Sequence, residues 1–260
     1  MGESGYKSWQ VSLTRRMSHG LAAQASYNLA KATGNVETGF DETWDANGNI
    51  QDIYDLSQDA KTVVSYDQTH VLKGQLTYEL PYGRGRRWMK DAPGVVDAFL
   101  GGWTVSTIFR YNSGFPLAVS PNVSYTGWEG TVYANVAPNA DFTKKFDSTS
   151  FNPGVQNDPG NLYFDPANFS NPTDHKLGNG FRRYDDLRGF GSANEDFGLL
   201  KHFRIREGMQ LQVRAEMLNV FNRHYFADPG TSLGNKSTFG FVNSTTGTPR
   251  VIQVGARFEW

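Results

Sequence analysis

The 260-residue chain contains no cysteine, which excludes a disulfide framework and thiolate metal sites. No apolar run approaches the ~18 residues that a membrane-spanning helix needs. Charge of either sign is not in excess: 25 basic residues stand against 26 acidic ones, so no global field argues for nucleic acid as a partner. The opening "MGESGYKSWQ" lacks a basic region followed by an apolar one and is not a secretory signal. Export would therefore place the start of the gene product outside this sequence. Helical periodicity is missing from every segment of real length.

Catalytic and metal motifs are scarce too. His19, His70, His175, His202 and His224 are scattered without ligand spacing and read as solvated or interfacial side chains. The stretch "DANGNIQD" at 45–52 looks like a calcium loop, but Gly48 sits too early and no Glu closes it. "GRGRRW" is not a phosphate loop, because no Lys-Ser/Thr follows and no strand–helix context fits. Nor is there a nucleophile elbow. The expectation is a protein that is not an enzyme and carries no cofactor and no metal.

What is present is alternation. Aromatics reach 14% and glycines number 28, both high for a globular enzyme. Seven segments alternate with period two, at about 6–16, 20–31, 69–80, 103–113, 194–205, 209–221 and the tail. In the third, Leu72, Gly74, Leu76, Tyr78 and Leu80 oppose Lys73, Gln75, Thr77 and Glu79. In the fourth, Trp103, Val105, Phe109 and Tyr111 oppose Thr104, Ser106 and Arg110. The sixth sets Leu211, Val213, Ala215 and Met217 against Gln210, Gln212, Arg214 and Glu216. The fifth is the least regular, and Leu199–Leu200 suggests a bulge there. Runs of about 10–12 residues at ~3.3 Å per residue and ~40° tilt span roughly 25–30 Å, the height of a hydrocarbon band. Soluble strands usually have only ~5–6 residues.

The connectors alternate as well. "MSHG" and "REG" are minimal, and about 22 residues join the third and fourth segments. The intervening connectors have about 37, nearly 80 and about 26 residues. Antiparallel strands put these two classes at opposite ends, so one end is tight and the other heavily looped, the asymmetry of transmembrane barrels. Gly20, Gly102 and Gly208 close the short connectors and can supply a positive φ. Two aromatic girdles follow: Tyr78, Trp103, Phe203 and Trp260 at the short-turn end, and Tyr27, Tyr111 and Phe221 near the loop end. The opposite faces carry the candidate lumen residues Lys73, Gln75, Glu79, Arg110, Gln212, Arg214, Glu216, Gln253 and Arg257. These residues predict an all-β, antiparallel transmembrane β-barrel segment with long extracellular loops and short periplasmic turns.

Near the short-turn end, Arg84, Arg86, Arg87 and Lys90 lie beside Tyr82 and Trp88. They read as a solvated turn, with contact to lipid phosphates as the alternative. The connector at about 114–191 is rich in polar residues, Gly and Pro, yet holds Tyr125, Trp128, Tyr133, Phe151, Tyr163, Phe164 and Phe169. Aromatics argue against plain disorder. They either pack the loop onto itself or present a ligand surface, for which Tyr125, Trp128, Tyr133 and Tyr163 are the candidates.

"DLRGFGSANEDFGLLKHFRIREGMQLQVRAEMLNVFNRHYF", followed by "VIQVGARFEW", resembles the last strands of TonB-dependent outer-membrane receptors. The closer likeness is to the Oar-like subgroup with a carboxypeptidase-regulatory-like domain. "THVLKGQLTYELPYGRGRRW" and "LGGWTVSTIFRYNSGFPLAVS" resemble the preceding strand pair of that subgroup. The resemblance implies a barrel of 22 strands, an internal plug and an N-terminal segment that contacts TonB. This chain departs by omission: about seven strands, no visible plug and no TonB-contact segment. Residues 1–260 are therefore expected to be the C-terminal part of a longer receptor, or a truncated gene model of one. Ile252, Val254, Ala256, Phe258 and Trp260 resemble the C-terminal signal read by the barrel-assembly machinery.

The resemblance implies import of a scarce small-molecule, glycan or peptide ligand across the outer membrane, driven through the TonB system, with outer-membrane lipid around the wall. The rivals are a passive or structural outer-membrane barrel and a soluble β-sandwich that binds glycans through Trp128 and the loop tyrosines.

Overall fold

The computed structural model describes residues 3–35, 50–52, 54–59, 62–128, 130–173 and 175–260. The calcium-like segment lies mostly outside the described residues. Among the described residues eleven strands occur in chain order: β1 Ser4–Ser18, β2 Leu21–Gly34, β3 His70–Glu79, β4 Trp103–Asn112, β5 Asn135–Val136, β6 Phe169–Ser170, β7 Ser192–Arg206, β8 Met209–Leu218, β9 Tyr225–Phe226, β10 Thr245–Thr246 and β11 Val251–Glu259. One short helix, α1 Gly94–Leu100, lies between β3 and β4. The seven long strands form one antiparallel sheet in the order β1-β2-β3-β4-β7-β8-β11. Among the described residues the sheet is not closed: β1 and β11 are its edges.

Strand pairing carries each alternating pattern across the sheet. Ile252, Met217, Phe197, Thr107, Leu76 and Ala23 are successive Cα partners and form one row of the apolar face. The next row is Val254, Ala215, Leu199, Val105, Tyr78 and Leu21. Partners share a face, so one side of the sheet is apolar from strand to strand. No second sheet covers this side among the described residues, since the two smaller sheets have two short strands each. The sandwich expectation fails for that reason: its apolar face needs a partner sheet.

The break at Leu199–Leu200 is not a bulge. Pairing runs without interruption from Phe197 to Arg204, and the irregularity falls between Arg204 and Arg206, beside the turn. Leu200 simply points to the polar side and Lys201 to the apolar side. Lys201 tolerates that place because it sits at the short-turn end, where its ammonium donates to the Gly101 carbonyl and lies 5.4 Å from the Trp103 ring and 4.8 Å from Phe203. Near the other end of the same strand, Glu195 also shares the apolar face. Tyr111 Oη donates to it at 2.7 Å, and Arg223 donates from Nε at 2.8 Å and Nη2 at 3.0 Å. On β7 the two charges of this face thus stand six residues or roughly 20 Å apart along the strand, and on β1 Arg15, the Cα partner of Ala23, shares the same face.

Tight turns occupy one end. His19 and Gly20 have φ of 53° and 80°, as a two-residue type I′ hairpin requires. Gly102 and Gly208 also adopt positive φ, 67° and 77°. The β3–β4 connector with α1 lies at this end too, and the opposite end carries the three long connectors. The buried apolar residues concentrate there in one cluster, which includes Leu117, Val119, Phe164, Phe169, Leu187, Phe239 and Val242. The core of this molecule is in its loops, and the sheet supplies the wall beneath it.

Candidate functional site: the loop layer and its cleft

Order in the long connectors begins locally, with aspartate. Asp52, Asp55, Asp141, Asp147, Asp158 and Asp165 each accept a hydrogen bond from the backbone N–H two residues on, at 2.8–3.0 Å. These Asx turns give an irregular chain its bends without a ladder. Hydrogen bonding from Thr143 and Thr149 holds the Asp141 and Asp147 carboxyls below the usual range.

Aromatic packing then joins separate loops. Phe164, fully buried, meets Phe169 at 5.6 Å and Phe239 at 5.3 Å, edge to face. Phe239 comes from the connector between β8 and β11, and backbone bonds tie the same two loops: Tyr163 N–H to Gly240 O and Val242 N–H to Asn161 O, both 2.8 Å. The connector between β2 and β3 is spliced in by Gln51. Its amide donates to Gly178 O at 2.9 Å, and its carbonyl accepts from Tyr133 N–H at 2.7 Å. Arg182 reaches from the long loop to the end of β2, donating to Asn35 O at 2.6 Å and to the Gly34 carbonyl.

The four candidate loop aromatics separate into two pairs. Tyr133 is 3% exposed and its hydroxyl donates to the buried Asp59. Tyr163 is 3% exposed, belongs to the core cluster and donates to the Arg188 carbonyl. Burial pushes the Tyr163 and Tyr184 hydroxyls up to about 12. Both buried tyrosines hold the layer together through their hydroxyls, and Tyr163 also lines a cleft in it. Tyr125, whose hydroxyl donates to Lys176 O at 2.8 Å, is partly exposed, and Trp128 is 39% exposed. These two remain at the surface of the layer.

The layer contains an open cleft of about 590 Å³ that sequence reasoning did not find. Lys144, Tyr163, Arg188, Phe190, Asp141 and Asp186 line it. The Lys144 ammonium lies 4.1 Å from the Phe190 ring centre, 5.4 Å from Tyr163 and 5.9 Å from Phe146. Burial depresses its basicity, and the rings compensate through cation–π attraction. Arg188 is committed elsewhere, to Asp67 and Asp185. A cleft with one cation held over aromatic rings and two carboxylates suits non-covalent recognition. Among the described residues, no group of three or more His, Asp or Glu is arranged to hold a metal ion. The only sequence signal for the cleft was the aromatic content of the loop, because its walls come from segments some 40 residues apart.

All nine candidate lumen residues fall on the polar face. Lys73 pairs with Arg110, Gln253 with Glu216 and Arg257 with Gln212, while Glu79, Thr104, Leu200 and Arg214 share a row. Gln75 Nε2 donates to Gln24 at 3.4 Å, and Glu79 pairs with Arg86 at 2.8 Å. On the other face, β11 presents Ile252, Val254, Ala256 and Phe258, and Trp260 stacks on Phe258 with ring centres 5.8 Å apart.

No curated protein matches the chain. The family model described as "Outer membrane beta barrel domain" matches residues 1–253. An open face of largely apolar rows, a polar opposite face and the three long connectors gathered at one end are the features such a wall requires. The chain belongs to the outer membrane beta barrel domain family and is integral to the outer membrane.

Proposed function

We propose that this chain forms part of the wall and the outer ligand-capture surface of a TonB-dependent transporter. The carrying observation is the folded loop layer: the β4–β7 and β8–β11 connectors share one aromatic core, hydrogen bonds of Gln51 and Arg182 splice in the β2–β3 connector, and the β4–β7 connector forms a cleft of about 590 Å³, all at a single end of the sheet. A barrel that only filters by size has no need of such a layer, whereas loops positioned by a rigid scaffold are where ligand contacts are built. The strand motifs that resemble the TonB-dependent receptors support the same reading. In it the seven strands belong to a larger barrel, with β1 and β11 pairing to further strands, and the polar face looks into the lumen. Ile252, Val254, Ala256, Phe258 and Trp260 would present the assembly signal. The cargo is a small-molecule, glycan or peptide ligand. Transport does no covalent chemistry on it.

Two measurements on the full-length protein test this. In planar bilayers a plugged, energy-coupled transporter holds no steady conductance, and a purified periplasmic domain of TonB binds it. A steady open conductance with no TonB binding contradicts the proposal and selects the passive barrel.

A further inference from the structure

The β3–β4 connector, residues 80–102, lies at the short-turn end, opposite the loop layer. It is too long to be only a turn. Its helix α1 follows Pro93 and stops at the Gly101–Gly102 pair, the expected punctuation for a short helix. None of its residues is buried. Val95 is 72% exposed and Phe99 71%, and four residues apart they share one side of the helix; Leu100 is exposed beside them. Trp88, Met89 and Tyr82 add further exposed apolar surface in the same connector.

The attachment of α1 shows where this surface lies. Trp103 Nε1 donates to Phe99 O at 2.8 Å, and the Lys201 ammonium donates to Gly101 O. Both side chains belong to the apolar face of the sheet, in the row of Val213 and Ala256. The C-terminal end of α1 is therefore fastened to the lipid-facing side of the wall, not to its polar side. Asp97 fixes the other flank: its carboxylate accepts from Arg84 N–H at 2.5 Å, and Gly101 N–H donates to its carbonyl at 2.9 Å. The connector carries Arg84, Arg86, Arg87 and Lys90 against Asp91 and Asp97, a net charge of +4 − 2 = +2. Arg86 is paired with Glu79. Arg87 lies 5.9 Å over Trp88, and neither it nor Lys90 has an acid partner among the described residues.

We infer that α1 is an interfacial foot: it lies on the bilayer at the short-turn end, with Val95, Phe99 and Leu100 in the acyl boundary and the basic residues at anionic headgroups. Two observations choose lipid over a protein partner. The exposed side of α1 continues the apolar face that already meets the bilayer, and the connector's charge complements an anionic leaflet. The foot does not depend on ligand, plug or TonB.

The test uses the full-length protein in vesicles of phosphatidylethanolamine and phosphatidylglycerol. Val95→Cys, Phe99→Cys and, as a control, Asp91→Cys are labelled with a nitroxide; the chain has no cysteine of its own. All three positions are exposed, and heat-modifiable migration confirms that each variant is folded. Labels at 95 and 99 should be relaxed by oxygen and shielded from a water-soluble nickel chelate, and the label at 91 should show the reverse. Adding Arg87→Gln and Lys90→Gln to Phe99→Cys should shift its label toward the nickel chelate. Labels at 95 and 99 as open to nickel as the one at 91 would overturn the inference. Shielding from both reagents would also overturn it, since that places α1 against protein.

Discussion

Arg188 Nη2 lies 2.5 Å from Asp67 Oδ2, and the Asp67 side chain is fully buried. Asp67 also accepts from the Ala32 N–H at 2.5 Å, so one carboxylate links β2, the approach to β3 and the end of the long loop. Asp185 and Lys31 extend the junction toward the surface. Removing one partner leaves the other charge buried and unpaired, which costs about 3–5 kcal/mol. Arg188→Ala should therefore open residues 180–190 to proteolysis while the strands stay protected. An unchanged digestion pattern would show that the ion pair contributes little to holding the layer.

Phe164 is the centre of the aromatic core and joins the β4–β7 connector to the β8–β11 connector. Phe164→Ala should cost about 3–5 kcal/mol of loop-layer stability, and Phe164→Leu clearly less. Amide hydrogen exchange should accelerate together at Tyr163 and Val242, whose N–H groups bridge the two loops. Acceleration confined to one of them would mean that the loops fold separately.

Burial pushes the Asp228 carboxyl above its usual range, against the Phe190 N–H that bonds it at 3.1 Å. A raised folded-state pKa favours the protonated acid. Its contribution is fully present below the unfolded value of ~3.9 and is lost as pH rises through the folded value. Asp228→Asn keeps the acceptor and removes the charge. It should slow amide exchange at Phe190 at pH 7, with the gain shrinking as pH falls toward ~4. Faster exchange in the variant at pH 7 would contradict this.

The wall was legible because its physics is local: a strand with lipid on one side must alternate, and β3 and β4 fall within a residue of their expected spans. Leu199–Leu200 misled because two adjacent apolar residues resemble a slip in register, although Lys201 had only moved to a rim where its ammonium finds the Gly101 carbonyl. The loop layer was not legible beyond its aromatic content. Tyr133 meets Asp59 from 74 positions away, and no periodicity announces such a contact. The two-residue strands β5 and β6, β9 and β10 have no pattern long enough to read. Helix α1 did carry signals, Pro93 before it and two glycines after, but seven residues are too few for a helical period.

Leu76 lies in the apolar row of Ala23 and Thr107, and Gln75 in the polar row of Gln24 and Ile108. In the full-length protein Leu76→Arg should cost roughly 2–4 kcal/mol, while Gln75→Arg should cost little. Folding titrations into lipid vesicles measure both. Equal costs would remove the assignment of faces.

Truncating the terminal aromatic tests assembly. Trp260 is 88% exposed and stacks on Phe258, so its loss leaves no cavity. Trp260→Ser should lower the amount of heat-modifiable barrel in the outer membrane without changing synthesis. Normal insertion would show that the β11 pattern is read without its aromatic end.

The central claim, that the loop layer faces the outside as a capture surface, is tested most directly by topology. Single cysteines at Trp128, Lys236 and Glu207 sample the layer and the opposite turn, and all three positions are exposed. In intact cells, a membrane-impermeant maleimide should label positions 128 and 236 and leave 207 unlabelled until the outer membrane is permeabilised. Labelling at 207 with protection at 128 and 236 would put the loop layer in the periplasm and contradict the account.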